Sequence, residues 1–206
     1  MKYKVKPFEP EEPKELVEQA AGKGAADPGR PAIRVVGGGV VDVLNPARDS
    51  IHLEDIAHAL SMLCRYGGHL LEHYSVAQHS CLVAQLLEPR LRVYGLLHDA
   101  AEAYLGDVVT PLKGKLALNG KPFCEAEEEL RSAILRALEV PELEVDGWWQ
   151  VWAADQSARM LEEAAFGCGE TGDEPRTYIV QLEAWRVPRA REEWLAAVEC
   201  ERKRGR

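Results

Sequence analysis

The segment Leu96-Leu97-His98-Asp99-Ala100-Ala101-Glu102-Ala103-Tyr104-Leu105-Gly106-Asp107 concentrates the residues most able to do chemistry. On a continuous helix, side chains three and four apart share a face, so His98, Asp99 and Glu102 lie near one another. Their neighbours Leu96, Leu97, Ala100, Ala101 and Ala103 are apolar, which predicts a polar group on an otherwise buried helix. Carboxylates buried beside an imidazole are costly unless something positive neutralises them. A divalent cation does this for all of them at once, since it accepts neutral imidazole and ionised carboxylate together.

Further ligands must come from other elements. Ser75-Val-Ala-Gln78 has the capping-box pattern and predicts a helix from there to about Leu87. Pro89 suits the first turn of the next helix, expected to end at Gly106. His79 lies eight residues before Leu87 and His98 eight residues after Arg90, so an antiparallel pair brings both imidazoles to one level, about 12 Å from the turn. Asp155, an acid in the apolar run Trp152-Ala-Ala-Asp155, is the candidate from the C-terminal half. Any one of these residues alone reads as a satisfied core polar group. The conjunction of His79, His98, Asp99, Glu102 and Asp155 favours a metal site.

The remaining elements follow from the apolar pattern. Residues 33–36 and 40–43 are β-branched runs around Gly37-Gly38-Gly39 and predict a small hairpin. The glycines are not a phosphate loop, because no helix start or Lys-Ser/Thr follows them. Ile56, Leu60 and Leu63 predict a helix ended by Gly67-Gly68. Pro122 opens another through Leu130, Ile134 and Leu138. Asp146 caps one through Trp149, Trp152 and Leu161 to about Gly167, and a last helix runs from about Pro188 to Arg202. A short helix at Lys14–Ala21 and a polar connector at Gly167–Pro175 complete the chain. The expected fold is mainly α, a compact bundle of five or six helices with a minor N-terminal β-hairpin. Residues 1–48 form the extension with the hairpin and 49–206 the helical core.

His79, then His98-Asp99, then Asp155 resembles the H…HD…D signature of the HD-domain metal-dependent phosphohydrolases. The longer run from His98 through Glu102, Gly106-Asp107 and Pro111 to Lys113 is similar to the small bacterial 5′-deoxynucleotidases and to compact phage deoxynucleoside triphosphohydrolases. The resemblance covers roughly residues 51–165. It implies an HD-domain bundle in which His79, His98, Asp99 and Asp155 bind one divalent metal. It implies that Glu102 orients or protonates at the reacting phosphate and that Arg65 holds a phosphate oxygen. Tyr66 would offer an aromatic surface to base or sugar, where the family carries tryptophan. Asp107 would read the sugar and support the attacking water, and Pro111 would wall the base pocket. Four protein ligands leave an open position only at coordination five or six, which favours Mn²⁺, Co²⁺ or Fe²⁺, with Zn²⁺ also open. A triphosphate substrate would bring a second ion, Mg²⁺.

Other signals carry less. His69 and His73 lie beyond the Gly67-Gly68 break without an HExxH pattern. His69 is a candidate phosphate contact or a loop hydrogen-bonder, and Glu72 a further carboxylate nearby. Trp148, Trp149 and Trp152 look like a base-stacking platform, but their helical spacing favours core or oligomer packing. His58 points away from Ile56 and Leu60, toward surface or interface. With 25 basic and 34 acidic residues the chain carries a net charge of −9, which argues against a nucleic-acid polymer or anionic membrane as partner. No 18-residue apolar run and no signal-peptide pattern occurs. Five scattered cysteines without CxxC fit reduced thiols in a cytoplasmic protein. The expectation is a cytoplasmic, homo-oligomeric hydrolase of small nucleotides. It would release phosphate from a 5′-(deoxy)nucleoside monophosphate, or triphosphate from a dNTP such as dATP. The alternatives are a cyclic-nucleotide or alarmone hydrolase, and a catalytically silent nucleotide- or metal-binding regulator.

Overall fold

The β-branched runs around the three glycines pair as expected. In the computed structural model, which describes residues 31–166 and 182–204, β1 (Ala32–Arg34) and β2 (Val40–Asp42) run antiparallel with Ile33 opposite Val41. Val41 and Val43 enter the main core. Gly37 makes a close approach: its N–H donates to Asp55 Oδ1 at 2.7 Å, and a Cβ there would lie 3.0 Å from that oxygen and push the carboxylate aside.

Helix α1 (Leu53–Met62) buries Leu53, Ile56, Ala57 and Leu60. It ends before Gly67-Gly68, against expectation. Leu63 turns extended because Val76 N–H donates to its carbonyl, and Arg65 N–H donates to Tyr74 O. The chain thus leaves the helix to pair with the segment entering α2 (Val76–Gln85), and Arg65 opens a tight 3₁₀ turn through Gly68. Ser75 caps α2 as predicted, accepting from Gln78 N–H at 3.2 Å. The reciprocal half of the capping box is absent, because the Gln78 amide instead bonds Glu183 O and Trp185 N–H.

The helix expected from Pro89 to Gly106 is divided. Pro89–Leu91 is a 3₁₀ turn, followed by α3 (Arg92–Leu97) and a one-turn α4 (Glu102–Leu105). Between them the bonds contract to three-residue spacing, Ala100 N–H to Leu97 O and Glu102 N–H to Asp99 O. Gly106, at φ 79°, turns the chain out toward Asp107. A second one-turn helix, α5 (Thr110–Lys113), and a small hairpin, β3 (Ala117–Leu118) with β4 (Lys121–Pro122), were not anticipated.

Helices α6 (Phe123–Ala137), α7 (Val145–Phe166) and α8 (Val187–Arg204) follow the predicted runs, except that Asp146 lies in the first turn of α7 and does not cap it. Helix α8 packs on α1, α2 and α3 through Ala190, Trp194 and Val198, one residue per turn. The Trp194 indole is fully buried and donates to Leu96 O at 2.9 Å. The fold is mainly helical with a small N-terminal antiparallel hairpin. Among the described residues no helix is long and apolar enough to cross a membrane. The expectations for Lys14–Ala21 and Gly167–Pro175 lie outside the described residues.

Candidate metal centre

Helices α2 and α3 lie close enough at Gly95 for a Cβ there to fall 2.6 Å from Leu87 Cδ1 and 3.0 Å from Ala84 Cα. That approach sets His79 and His98 side by side, ring centroids 5.2 Å apart. Asp155 arrives from α7, its Oδ1 3.0 Å from His79 Nε2 and 4.0 Å from His98 Nε2. The ligand atoms of these three residues all lie within 4.8 Å of one another, a group that can hold a metal ion.

Both imidazoles are oriented from behind. His98 Nδ1 donates to Gly95 O at 2.8 Å, and a carbonyl only accepts, so the proton sits on Nδ1 and the Nε2 lone pair faces the cluster. His79 Nδ1 donates to Glu162 Oε1 at 2.6 Å. Each Nε2 is buried with no hydrogen-bond partner. A lone pair set against the Asp155 carboxylate repels it unless a proton or a cation lies between them. Burial and Arg65 oppose charge on His79, yet Asp155 and Glu162 prevail and hold its pKa above the ordinary value. Surroundings that favour a proton there favour a metal cation in its place.

Asp99 flanks this group. Its Oδ2 lies 3.1 Å from His98 Nε2, 3.6 Å from His79 Nε2 and 3.7 Å from Arg65 Nη1, so it is shared between imidazoles and guanidinium. Burial opposes its charge, but His98, His79 and Arg65 hold the carboxyl well below the usual carboxylate range. Glu102 behaves oppositely. Burial and the neighbouring Asp99 push it well above that range, although Lys113 Nζ donates to it at 3.0 Å.

Two cavities meet at the carboxylates of Asp99 and Asp155. One, of about 350 Å³, is lined by Arg65, Tyr66, Glu102, Asp107, Pro111 and Lys113 among others. The other, of about 740 Å³, is lined by His98, Glu127, Arg131 and the three tryptophans of α7. The 3₁₀ contraction accounts for the division. Residues three apart eclipse, so Glu102 lines the first cavity beneath Asp99, which borders both, while His98 turns to the second alone. His98 and Glu102, expected on one face, therefore line different cavities.

His69 and Glu72 are exposed in the loop before α2 and line neither cavity. Tyr66 sits at φ 57° in the Arg65 turn, its hydroxyl donating to Glu162 Oε2 at 3.0 Å. Trp148 packs against Tyr94 and the Arg131 guanidinium, but Trp149 and Trp152 are 62% and 56% exposed, which excludes the core half of the expectation for them and leaves the oligomer half open. Glu162 was missed. It is fully buried and gathers His79, Arg65 Nε at 3.2 Å and Tyr66. The available signal was its position seven residues after Asp155, two helical turns along α7.

No protein-family model matches the chain. An uncharacterized protein of Rhodobacter capsulatus is 38% identical over 110 residues, 49% of this chain and 55% of that protein. The uncharacterized protein YfdR of Escherichia coli is 43% identical over 89 residues, 43% of this chain and 47% of its own length. The chain spans about half the length of these curated relatives.

Proposed function

We propose that this protein is a divalent-metal-dependent phosphohydrolase of small (deoxy)nucleotides, of the HD-domain kind. The observation that carries the reading is the convergence of His79, His98, Asp99 and Asp155 with an arginine and a high-pKa glutamate on the cavity beside them. These four residues would hold Mn²⁺, Co²⁺, Fe²⁺ or Zn²⁺. When bound, the ion supplies Lewis-acid polarisation of a phosphoryl oxygen and lowers the pKa of water.

The chain's own residues then divide the work. Glu162 fixes Arg65 through Nε, which leaves the outer face of the guanidinium to meet phosphate oxygens. Glu102, whose pKa burial and Asp99 raise, gives its proton to the leaving oxygen as water adds to phosphorus and the ester bond breaks. Lys113 adds positive charge between Glu102 and Glu127. Asp107, on the same cavity, accepts from water or a sugar hydroxyl. Hydrolysis of a 5′-monophosphate releases phosphate; hydrolysis of a dNTP, with Mg²⁺ on its triphosphate, releases triphosphate.

The test is turnover with Mn²⁺ or Co²⁺ on a panel of dNMPs and dNTPs, with products separated by ion chromatography. Asp99→Ala is expected to lose metal and activity. Glu102→Ala is expected to keep metal and slow by about 10²-fold or more. Absence of phosphate or triphosphate release from every nucleotide overturns the reading.

A further inference from the structure

We infer that the tryptophan-lined cleft is a subsite for the planar aromatic end of the substrate, a nucleobase and preferentially a purine. The proposal rests on the phosphohydrolase reading for the phosphate end alone. The site is open on two sides that differ in chemistry. Toward Arg65, Lys113 and Arg159 the walls offer cations set among carboxylates, and the cations suit phosphate once a metal ion neutralises Asp99 and Asp155. Toward α7 they are aromatic, and this cleft, at about 740 Å³, has the size of a small-ligand pocket. Asp99 and Asp155 belong to both walls, so a molecule with its phosphate at the cluster would extend directly into the indoles.

The indoles are arranged for stacking. Trp149 and Trp152 stand edge to face, centroids 5.6 Å apart and planes at 86°, and both are largely exposed. A planar ring laid on the face of one indole meets the other at its edge, which removes apolar surface from water, and a bicyclic purine covers more of it than a pyrimidine. Beside them the Arg131 guanidinium lies 4.0 Å from the Trp148 centroid and pairs with Glu128, which fixes that wall of the cleft. Lys113 links the two ends, bonding Glu102 on one side and Glu127, at 2.8 Å, on the other. On the phosphate side the Tyr66 ring is approached by the Arg65 guanidinium, 5.5 Å from its centroid, so the α7 indoles are the broader stacking surface.

The experiment is equilibrium binding to the metal-stripped full-length protein, read by indole fluorescence quenching and calorimetry. The ligands are adenosine 5′-monophosphate, cytidine 5′-monophosphate and ribose 5-phosphate. The adenine nucleotide is expected to quench and to bind tighter than the cytosine nucleotide, with ribose 5-phosphate giving no quenching. Trp149→Ala and Trp152→Ala should each weaken the adenine nucleotide by about tenfold or more, and Trp149→Phe should restore most of that loss. Circular dichroism confirms folding, which exposed positions leave intact. Unchanged affinity in both alanine variants overturns the proposal. So does a dimer that these variants dissociate without altering nucleotide affinity, since the cleft is then a contact between two copies. The readout needs neither metal nor turnover. A protein that binds purine through these tryptophans but releases neither phosphate nor triphosphate from any nucleotide overturns the hydrolase reading and supports this one.

Discussion

Each imidazole of the cluster is held through Nδ1 and presents Nε2, but the two are held by unlike partners, a backbone carbonyl for His98 and a buried carboxylate for His79. The carboxylate raises the electron density of its imidazole as well as orienting it. Glu162→Gln keeps the shape and removes the charge. It is expected to weaken Mn²⁺ binding by about 10–100-fold in calorimetry while the far-ultraviolet spectrum stays unchanged; equal affinity would exclude the role. Glu102 gives a second prediction. Its folded-state pKa lies above the unfolded value, so between the two the native chain binds more protons than the unfolded one and stability falls as pH rises through that window. In metal-stripped protein, Glu102→Gln should therefore melt at least about 2 °C higher than the parent near pH 8. The difference should vanish near pH 4, where the unfolded carboxyl also protonates. His79, His98 and Asp155 were legible because their types and spacing are unusual in apolar runs. Glu162 was not, because a glutamate among Glu162-Glu163 on a long helix reads as a solvated face.

The elements that carry these residues were mostly readable from caps and apolar period: Ser75 opened α2, and Pro122 preceded α6. The break between α3 and α4 was not, since Leu96 to Tyr104 is rich in good helix formers and nothing local stops a helix there. Equally hidden was the early end of α1, which depends on pairing with Tyr74 and Val76, contacts that no local window contains. The α2–α3 approach rests on Gly95. Gly95→Ala would drive a methyl into Leu87 and the Ala84 backbone, and main chain does not yield as a side chain tip does. The variant should lose about 1–3 kcal/mol in urea denaturation and weaken metal binding, since the same approach sets the spacing of His79 and His98. An unaltered denaturation midpoint would show that the helices part without cost.

Across the whole molecule, α8 closes the bundle over α1, α2 and α3, and Trp194 is its deepest side chain. Trp194→Ala is expected to cost about 3–5 kcal/mol, and Trp194→Phe about 1–3 kcal/mol, because it strands the buried Leu96 carbonyl. Chemical denaturation of both variants measures the difference, and a Trp194→Phe variant as stable as the parent would mean that the indole hydrogen bond contributes nothing. Hydropathy placed α8, but which helices it covers was not legible, since pairing between distant segments leaves no local trace. The metal group has a consequence of another kind. His79, His98 and Asp155 sit on α2, on the turn after α3 and on α7, segments far apart along the chain. An ion held by all three is a removable cross-link, present only when those segments are already in register. Its binding free energy adds to folding, so the melting temperature should climb with the logarithm of free Mn²⁺ or Co²⁺ and fall back on chelation. Such a protein reads the metal supply of its surroundings through its own persistence, whatever it does with a substrate.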